Sequence, residues 1–143
     1  MTEAPINVPA AINRVQAHDN GGIAVFIGTV RSSAAAEGHD GDDVIGLDYE
    51  AHQELADERL RAICAEAGER WDIRRAVVIH RIGACPLGEP TVVIACGAPH
   101  RKDALEACRW IIDSVKRSVP IFKREVYENG TAWVSPEGTT TYR

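Results

Sequence analysis

Apolar residues recur along this chain in two rhythms, and the switches between them mark out its elements. Pro9 to Ala17 reads as a short helix: Pro9 suits a first turn, and the Asp19-Asn20-Gly21-Gly22 run stops it. Ile23 to Val30 is β-branched, bounded by glycines and apolar on both faces, which predicts a central strand with Arg31 just past its end. Val44 to Glu50 predicts a second strand, joined to the first as a long-looped hairpin. The intervening 32–43 stretch is small, polar and glycine-containing, the composition of a mobile loop. From His52 to Arg70, Leu55, Ala56, Leu60, Ile63 and Ala67 fall at helical spacing and predict the first long helix.

The same alternation of rhythms repeats downstream. Ile73 to Ile82 and Thr91 to Cys96 predict two strands joined by a turn containing Gly83, Pro86, Gly88 and Pro90. A second long helix is expected from about Arg101 to Arg117, burying Leu105, Cys108, Ile112 and Val115 and ending before Pro120. Ile121 to Tyr127 and Thr131 to Val134 then close a sheet around a turn at Glu128-Asn129-Gly130. The order predicts an α+β fold: a mostly antiparallel sheet with two long helices.

Composition narrows the class. The 143 residues suit a single domain, 1–143, able to bury about two-thirds of its unfolded surface and fold without staples, with a flexible tail about 135–143. Met1 to Asn7 lacks a secretory start and no stretch approaches the ~18 apolar residues of a membrane span, so a soluble, cytoplasmic protein with no membrane partner is expected. Cys64, Cys85, Cys96 and Cys108 are too scattered for a metal site and read as reduced, mostly buried residues. No dinucleotide or phosphate-loop motif appears, and no aromatic residues interleave the loop cations, which argues against nucleic acid.

Charge adds the candidate chemistry. The chain carries a formal net charge of −5, yet His100 to Glu125 holds all three lysines, Lys102, Lys116 and Lys123, and Arg101, Arg109, Arg117 and Arg124. Against these stand only Asp103, Glu106, Asp113 and Glu125. Screening acts over roughly 8 Å at physiological salt, so a small anionic ligand feels this local excess more than the distant total. The plain structural alternative is a solvated helix face, with an Asp113–Lys116 pair supporting the helix. His80 and Arg81, at the end of a predicted strand, fit an ion pair or cap as readily as a ligand site.

Five short motifs, spread over roughly Gly21 to Trp133, then carry a resemblance. They are Gly28-Thr29-Val30-Arg31, Asp48-Tyr49-Glu50, Ile79-His80-Arg81-Ile82-Gly83, Pro99-His100-Arg101 and Pro120-Ile121-Phe122-Lys123-Arg124-Glu125. In order and spacing the chain resembles the large, catalytic subunit family of the molybdopterin synthases. That resemblance implies an α/β hammerhead-type fold and a homodimer core within a heterotetramer. It also implies a small ubiquitin-like partner ending in a Gly-Gly thiocarboxylate. The implied reaction moves sulfur from two such tails to cyclic pyranopterin monophosphate, making the molybdopterin dithiolene with no resident cofactor or metal.

Carried over position by position, the resemblance makes Lys116 and Lys123 the catalytic lysines. Arg31, with Thr29 and Val30 before it, His100 and Arg101 match substrate-contacting positions, and Arg124 and Glu125 stand beside Lys123. The residue chemistry agrees. Arginine's planar fork holds phosphate and stays charged, whereas lysine gives up its proton when burial and neighbouring cations depress its pKa. One departure is the C-terminal segment, Ser135-Pro136-Glu137, where the family can extend a basic residue from a neighbouring subunit; Arg143 is the tail's one cation. Two readings from other classes remain: a non-catalytic module that grips a ubiquitin-like tail, and a phosphate-ligand-binding protein.

Overall fold

A computed structural model describes residues 1–135; the tail beyond them, with Pro136, Glu137 and Arg143, lies outside the described residues. Helix α1, Val8–Val15, begins where the Asn7 side chain accepts the Ala10 N–H at 3.1 Å, with Pro9 in the first turn. It lays Ala11 and Val15 against Val77, Val93 and Ala95. Helix α2, Gln53–Arg70, is capped by His52. Helix α3, Arg101–Ser118, ends at the non-helical Val119 that Pro120 imposes.

Both long helices match their predicted spans, but their seams differ from expectation. Leu55 and Leu105 are exposed, 54% and 60%, instead of buried. The buried stripe runs through Ala56, Leu60, Ile63 and Ala67 on α2 and through Ala104, Ala107, Cys108, Ile111, Ile112 and Val115 on α3. Small alanines draw the helices close to the sheet and to each other, which rotates the neighbouring leucine of each helix off the seam.

Every ladder between the strands is antiparallel, but the strands form two sheets, not one. The first sheet has the order β1-β5-β3, from β1 (Gly22–Thr29), β5 (Pro90–Ala98) and β3 (Arg75–His80). The second has the order β4-β2-β6-β7, from β4 (Gly83–Pro86), β2 (Gly46–Ala51), β6 (Ile121–Tyr127) and β7 (Gly130–Val134). The expected hairpin of the first two strands is therefore absent, because β1 pairs with β5 while β2 joins the other sheet. The turn after β3 likewise holds β4, which crosses to pair with β2 before the chain returns as β5.

The strand expected to be central is also an edge. β5 occupies the centre, buried from Thr91 to Ala98, whereas β1 leaves Ile23, Val25, Phe26 and Ile27 between 37% and 42% exposed. An apolar run marks a strand covered on both faces, and it cannot say whether the cover belongs to the same chain. The 32–43 segment leaves β1 and returns to β2 over the second sheet, with its own Ala36 and the following Val44 buried. Among the described residues no helix is long and apolar enough to cross a membrane. All four cysteines are free thiols, and burial raises the pKa of Cys64 and Cys85, keeping both protonated.

Candidate active site

Where the two sheets meet the end of α3, a cavity of about 210 Å³ gathers side chains from six separate elements or their ends. Arg31 enters from just beyond β1, Lys116 from the last turn of α3, Lys123 from β6, Tyr49 from β2, His80 from the end of β3 and Thr91 from β5. Lys116 is aimed there by its neighbours: Ile112 and Val115 are buried and also line the cavity. Lys123 and Tyr49 are register partners across β6 and β2. No carboxylate lines the cavity among the described residues. The Asp113–Lys116 pair of the alternative reading does not form; Asp113 meets Arg109 instead, at 3.9 Å.

The period-two alternation of β6 sorts the next charges. Arg124 points to the opposite face, where it hydrogen-bonds Asp48, lies 3.6 Å from Glu50 and stacks 5.0 Å over the Trp133 ring. The Asp48-Tyr49-Glu50 motif reads the same way: Tyr49 faces the cavity while its two acidic neighbours hold Arg124. Glu125 is spent on the 32–43 segment, accepting N–H bonds from Ala35 at 2.9 Å and Ala36 at 2.8 Å and the Tyr127 O–H at 2.7 Å. Burial pushes its pKa up, but the Tyr127 hydroxyl, both amides and the nearby Lys123 charge outweigh it and hold the carboxylate below its ordinary value. His39 of the same segment stacks on Tyr127, ring centres 4.4 Å apart.

His80 and Arg81, left open by the sequence, separate cleanly. Arg81 is structural: buried, it donates to Glu89 and to the Ala84 carbonyl, both at 2.8 Å, and so binds the segment holding β4. His80 is buried in the cavity wall with its ring edge-on to Tyr49, centres 4.9 Å apart. Its Nδ1 lies 2.6 Å from the Arg81 carbonyl, an acceptor, so Nδ1 carries the proton. Burial first, and the charges of Lys116 and Lys123 after it, lower its pKa to about 4. Burial likewise pushes the Tyr49 phenol up to about 12, so both rings are neutral at pH 7.

The remaining expected site residues lie elsewhere. Thr29 is exposed at the end of β1, and Val30 is buried beside Val44, Leu47 and Tyr49, not in the cavity. His100 and Arg101 open α3, and Lys116 follows fifteen residues later, so a rise of ~1.5 Å per residue separates the two groups by about 22 Å. The first residues of β1 abut that far end. A side chain on Gly21 would strike the Pro99 carbonyl oxygen at 2.1 Å, and one on Gly22 would meet the Arg101 Cα at 3.4 Å. Tyr49 and Thr91 are cavity residues that charge and spacing did not single out, and His80 is one that they left unassigned. The available signal was an ionisable or hydroxyl side chain at the end of a buried, apolar strand.

Residues 1–118 match the protein family described as "MoaE protein". Over 141 residues the chain is 40% identical to the molybdopterin synthase catalytic subunit of Bacillus subtilis, covering 99% of this chain and 87% of that protein. Its fold is similar to a chain in the crystal structure of molybdopterin synthase from Staphylococcus aureus, with a TM-score of 0.84 and 32% identity over 92% of each chain. It also superposes with a TM-score of 0.70 on a chain in a complex of subunits 1 and 2 of the molybdopterin-converting factor from Helicobacter pylori. That match is 20% identical and covers 92% of this chain and 82% of the other.

Proposed function

The chain belongs to the MoaE protein family, as a molybdopterin synthase catalytic subunit of molybdenum cofactor biosynthesis, and we propose that its cavity is where sulfur reaches cyclic pyranopterin monophosphate. One observation carries the reading: Arg31, Lys116 and Lys123 come from three separate elements to one cavity that, among the described residues, no carboxylate lines. Such a site attracts a phosphate and a thiocarboxylate together, both anions. Arg31 holds the phosphate, and the two lysines move protons as the pterin's carbon–sulfur bond forms and water cleaves the tail's acyl carbon–sulfur bond, leaving a carboxylate. The pterin is substrate and the sulfur arrives on a partner, so the reading assigns no resident cofactor. It places the reaction in the cytoplasm.

The partner is a small subunit whose Gly-Gly tail ends in the thiocarboxylate. Phe122 and Trp133 are 54% and 53% exposed, and with Glu50, Val134 and Ser135 they line a groove on the second sheet. Val134 and Ser135 line the cavity as well, so the groove runs into it. An apolar patch outside and cations inside fit a folded carrier that stays out and a narrow anionic tail that enters.

His100 and Arg101 serve the reaction from a second copy of this chain. β1 has one unpaired edge and exposes Ile23, Val25, Phe26 and Ile27 along it. Antiparallel pairing of two β1 edges, centred on Val25 and Phe26, sets the Gly22 end of each copy beside the Thr29 end of the other. That places His100 and Arg101 of the second copy next to Arg31 of the first.

The test is conversion of cyclic pyranopterin monophosphate to molybdopterin with the thiocarboxylated small subunit. Turnover is expected with the intact tail, and none with a partner lacking its last two glycines that still docks. Turnover with the truncated partner would refute the threaded tail, and absence of turnover with the intact one would refute the reading.

A further inference from the structure

The charged side chains of the cavity can only donate hydrogen bonds. Arg31, Lys116 and Lys123 have no acceptor atom, and the Tyr49, Thr91 and Ser135 hydroxyls that also line the cavity can turn to donate or accept. A pterin ring is not an anion throughout: besides its phosphate it presents N–H and O–H donors, and a wall of cations leaves those unanswered. His80 supplies an acceptor that cannot turn to donate. Its Nδ1–H is committed to the Arg81 carbonyl at 2.6 Å, which leaves the lone pair of Nε2 as the ring's acceptor in the wall that His80 helps to form.

We propose that His80 is a specificity-determining residue, whose Nε2, fixed as an acceptor by the Arg81 carbonyl, takes a hydrogen bond from a ring N–H or O–H of the heterocyclic substrate. The inference rests on the functional reading above and deepens it: Arg31 recognises the charged end of the substrate and His80 its neutral, donor-bearing end. Two features keep the imidazole in that role. The tautomer is set by the backbone and not by the ligand, and the edge-on Tyr49 ring fixes the plane of the imidazole. The low proton affinity of the ring follows from its burial and from the two lysines, so Nε2 stays unprotonated, an acceptor, at neutral pH. A buried acceptor left unpaired discriminates against analogues lacking the matching donor more strongly than apolar contacts do.

Steady-state kinetics of the full enzyme with its thiocarboxylated partner tests this, with His80→Phe removing the acceptor and His80→Gln restoring one. His80→Phe should raise KM for cyclic pyranopterin monophosphate about tenfold with kcat nearly unchanged, equivalent to ~1.4 kcal/mol, and His80→Gln should recover part of the loss. Nitrogen-15 spectra of the wild-type imidazole, recorded with and without the pterin, supply a readout that a purely structural histidine would not move. Nε2 should be unprotonated in the free protein and shift toward the hydrogen-bonded position on saturation. A protonated Nε2 in the free protein, or a resonance unmoved by saturating pterin, would overturn the inference whether or not the variants fold. An unchanged KM in a turning-over His80→Phe enzyme would also overturn it and leave the functional reading intact. Absence of wild-type turnover would instead strike that reading first.

Discussion

The two ends of α3 carry similar residues and meet different fates. At its C-terminal end Lys116 joins Arg31, Lys123, His80 and Tyr49 around one cavity. At its N-terminal end His100 and Arg101 are exposed, with the start of β1 packed behind them. The sequence puts all of these cations except Arg31 in one 26-residue stretch, but a helix is a rigid spacer, and about 22 Å of it stands between them. A charge cluster along the chain is therefore a list of candidates, and only elements folding onto one of its ends make a site. The other end becomes part of a site when something outside the chain completes it.

The sharpest way to break this contrast is at Lys116. Lys116→Ala should cost roughly 10²- to 10⁴-fold in turnover while changing stability by less than ~0.5 kcal/mol, since its side chain is at the protein surface of a cavity and takes no part in the core. Product formation measured beside a melting curve checks both halves. Near-normal turnover would remove the lysine from the chemistry.

Arg101→Ala tests the other end. It should impair the pure protein, yet mixing it with Lys116→Ala and allowing subunits to exchange should restore about a quarter of wild-type activity. Half of the dimers are then mixed, and each mixed dimer holds one intact site built from both chains. No restoration would place both residues in one protomer's site or separate their roles.

A third experiment asks what it costs to keep the cavity end neutral. His80 has its pKa lowered from 6.5 to about 4 by burial first and the lysines second, so below pH 6.5 the unfolded chain binds a proton that the folded one refuses. Stability is fully present above pH 6.5 and falls as pH drops toward 4, by about 3 kcal/mol for this group. Chemical denaturation across that window should show the slope, and His80→Phe should flatten it.

Smaller effects follow at Glu125 and Arg109. Glu125→Gln should lose about 1–2 kcal/mol and speed hydrogen exchange at the Ala35 and Ala36 amides, because the charge-assisted bonds to the 32–43 segment weaken. Arg109→Ala, midway along α3 in an exposed pair at 3.9 Å, should change neither turnover nor stability beyond ~0.5 kcal/mol. A large effect there would mean that the middle of the helix is also a functional surface.

Much of the fold was legible because periodicity reports burial directly. The spans of α2 and α3 and the β6–β7 hairpin lie close to where spacing, proline and turn residues put them. Sheet membership was not legible, since β1 and β2 look like hairpin partners by adjacency, and only the packing of β5 between β1 and β3 divides the sheets. Ile23 to Val30 misled for a related reason: its second apolar face is open in the single chain. Within the site, cations stood out because they are scarce lysines in an acidic protein. Tyr49 and Thr91 did not, and His80 stayed unassigned, because nothing in a single sequence distinguishes a polar side chain pointing into a cavity from one satisfied in the core.

The strict alternation along β6 has a consequence for insertions and deletions. Lys123 and Glu125 face inward and Arg124 outward because Lys123 stands opposite Tyr49 and Arg124 opposite Asp48. One residue added or removed between Ser118 and Ile121 would slide β6 by one position or force a bulge, exchanging the two faces. The arginine would then enter the cavity, Lys123 would be left among acidic side chains, and the carboxylate that holds the 32–43 segment would turn away. Substitutions in this stretch trade one side chain at a time, but a change of length rewrites the whole site at once. The seven-residue step from Lys116 to Lys123 is thus a measured length in the architecture, and loop grafting or peptide tagging should leave it untouched.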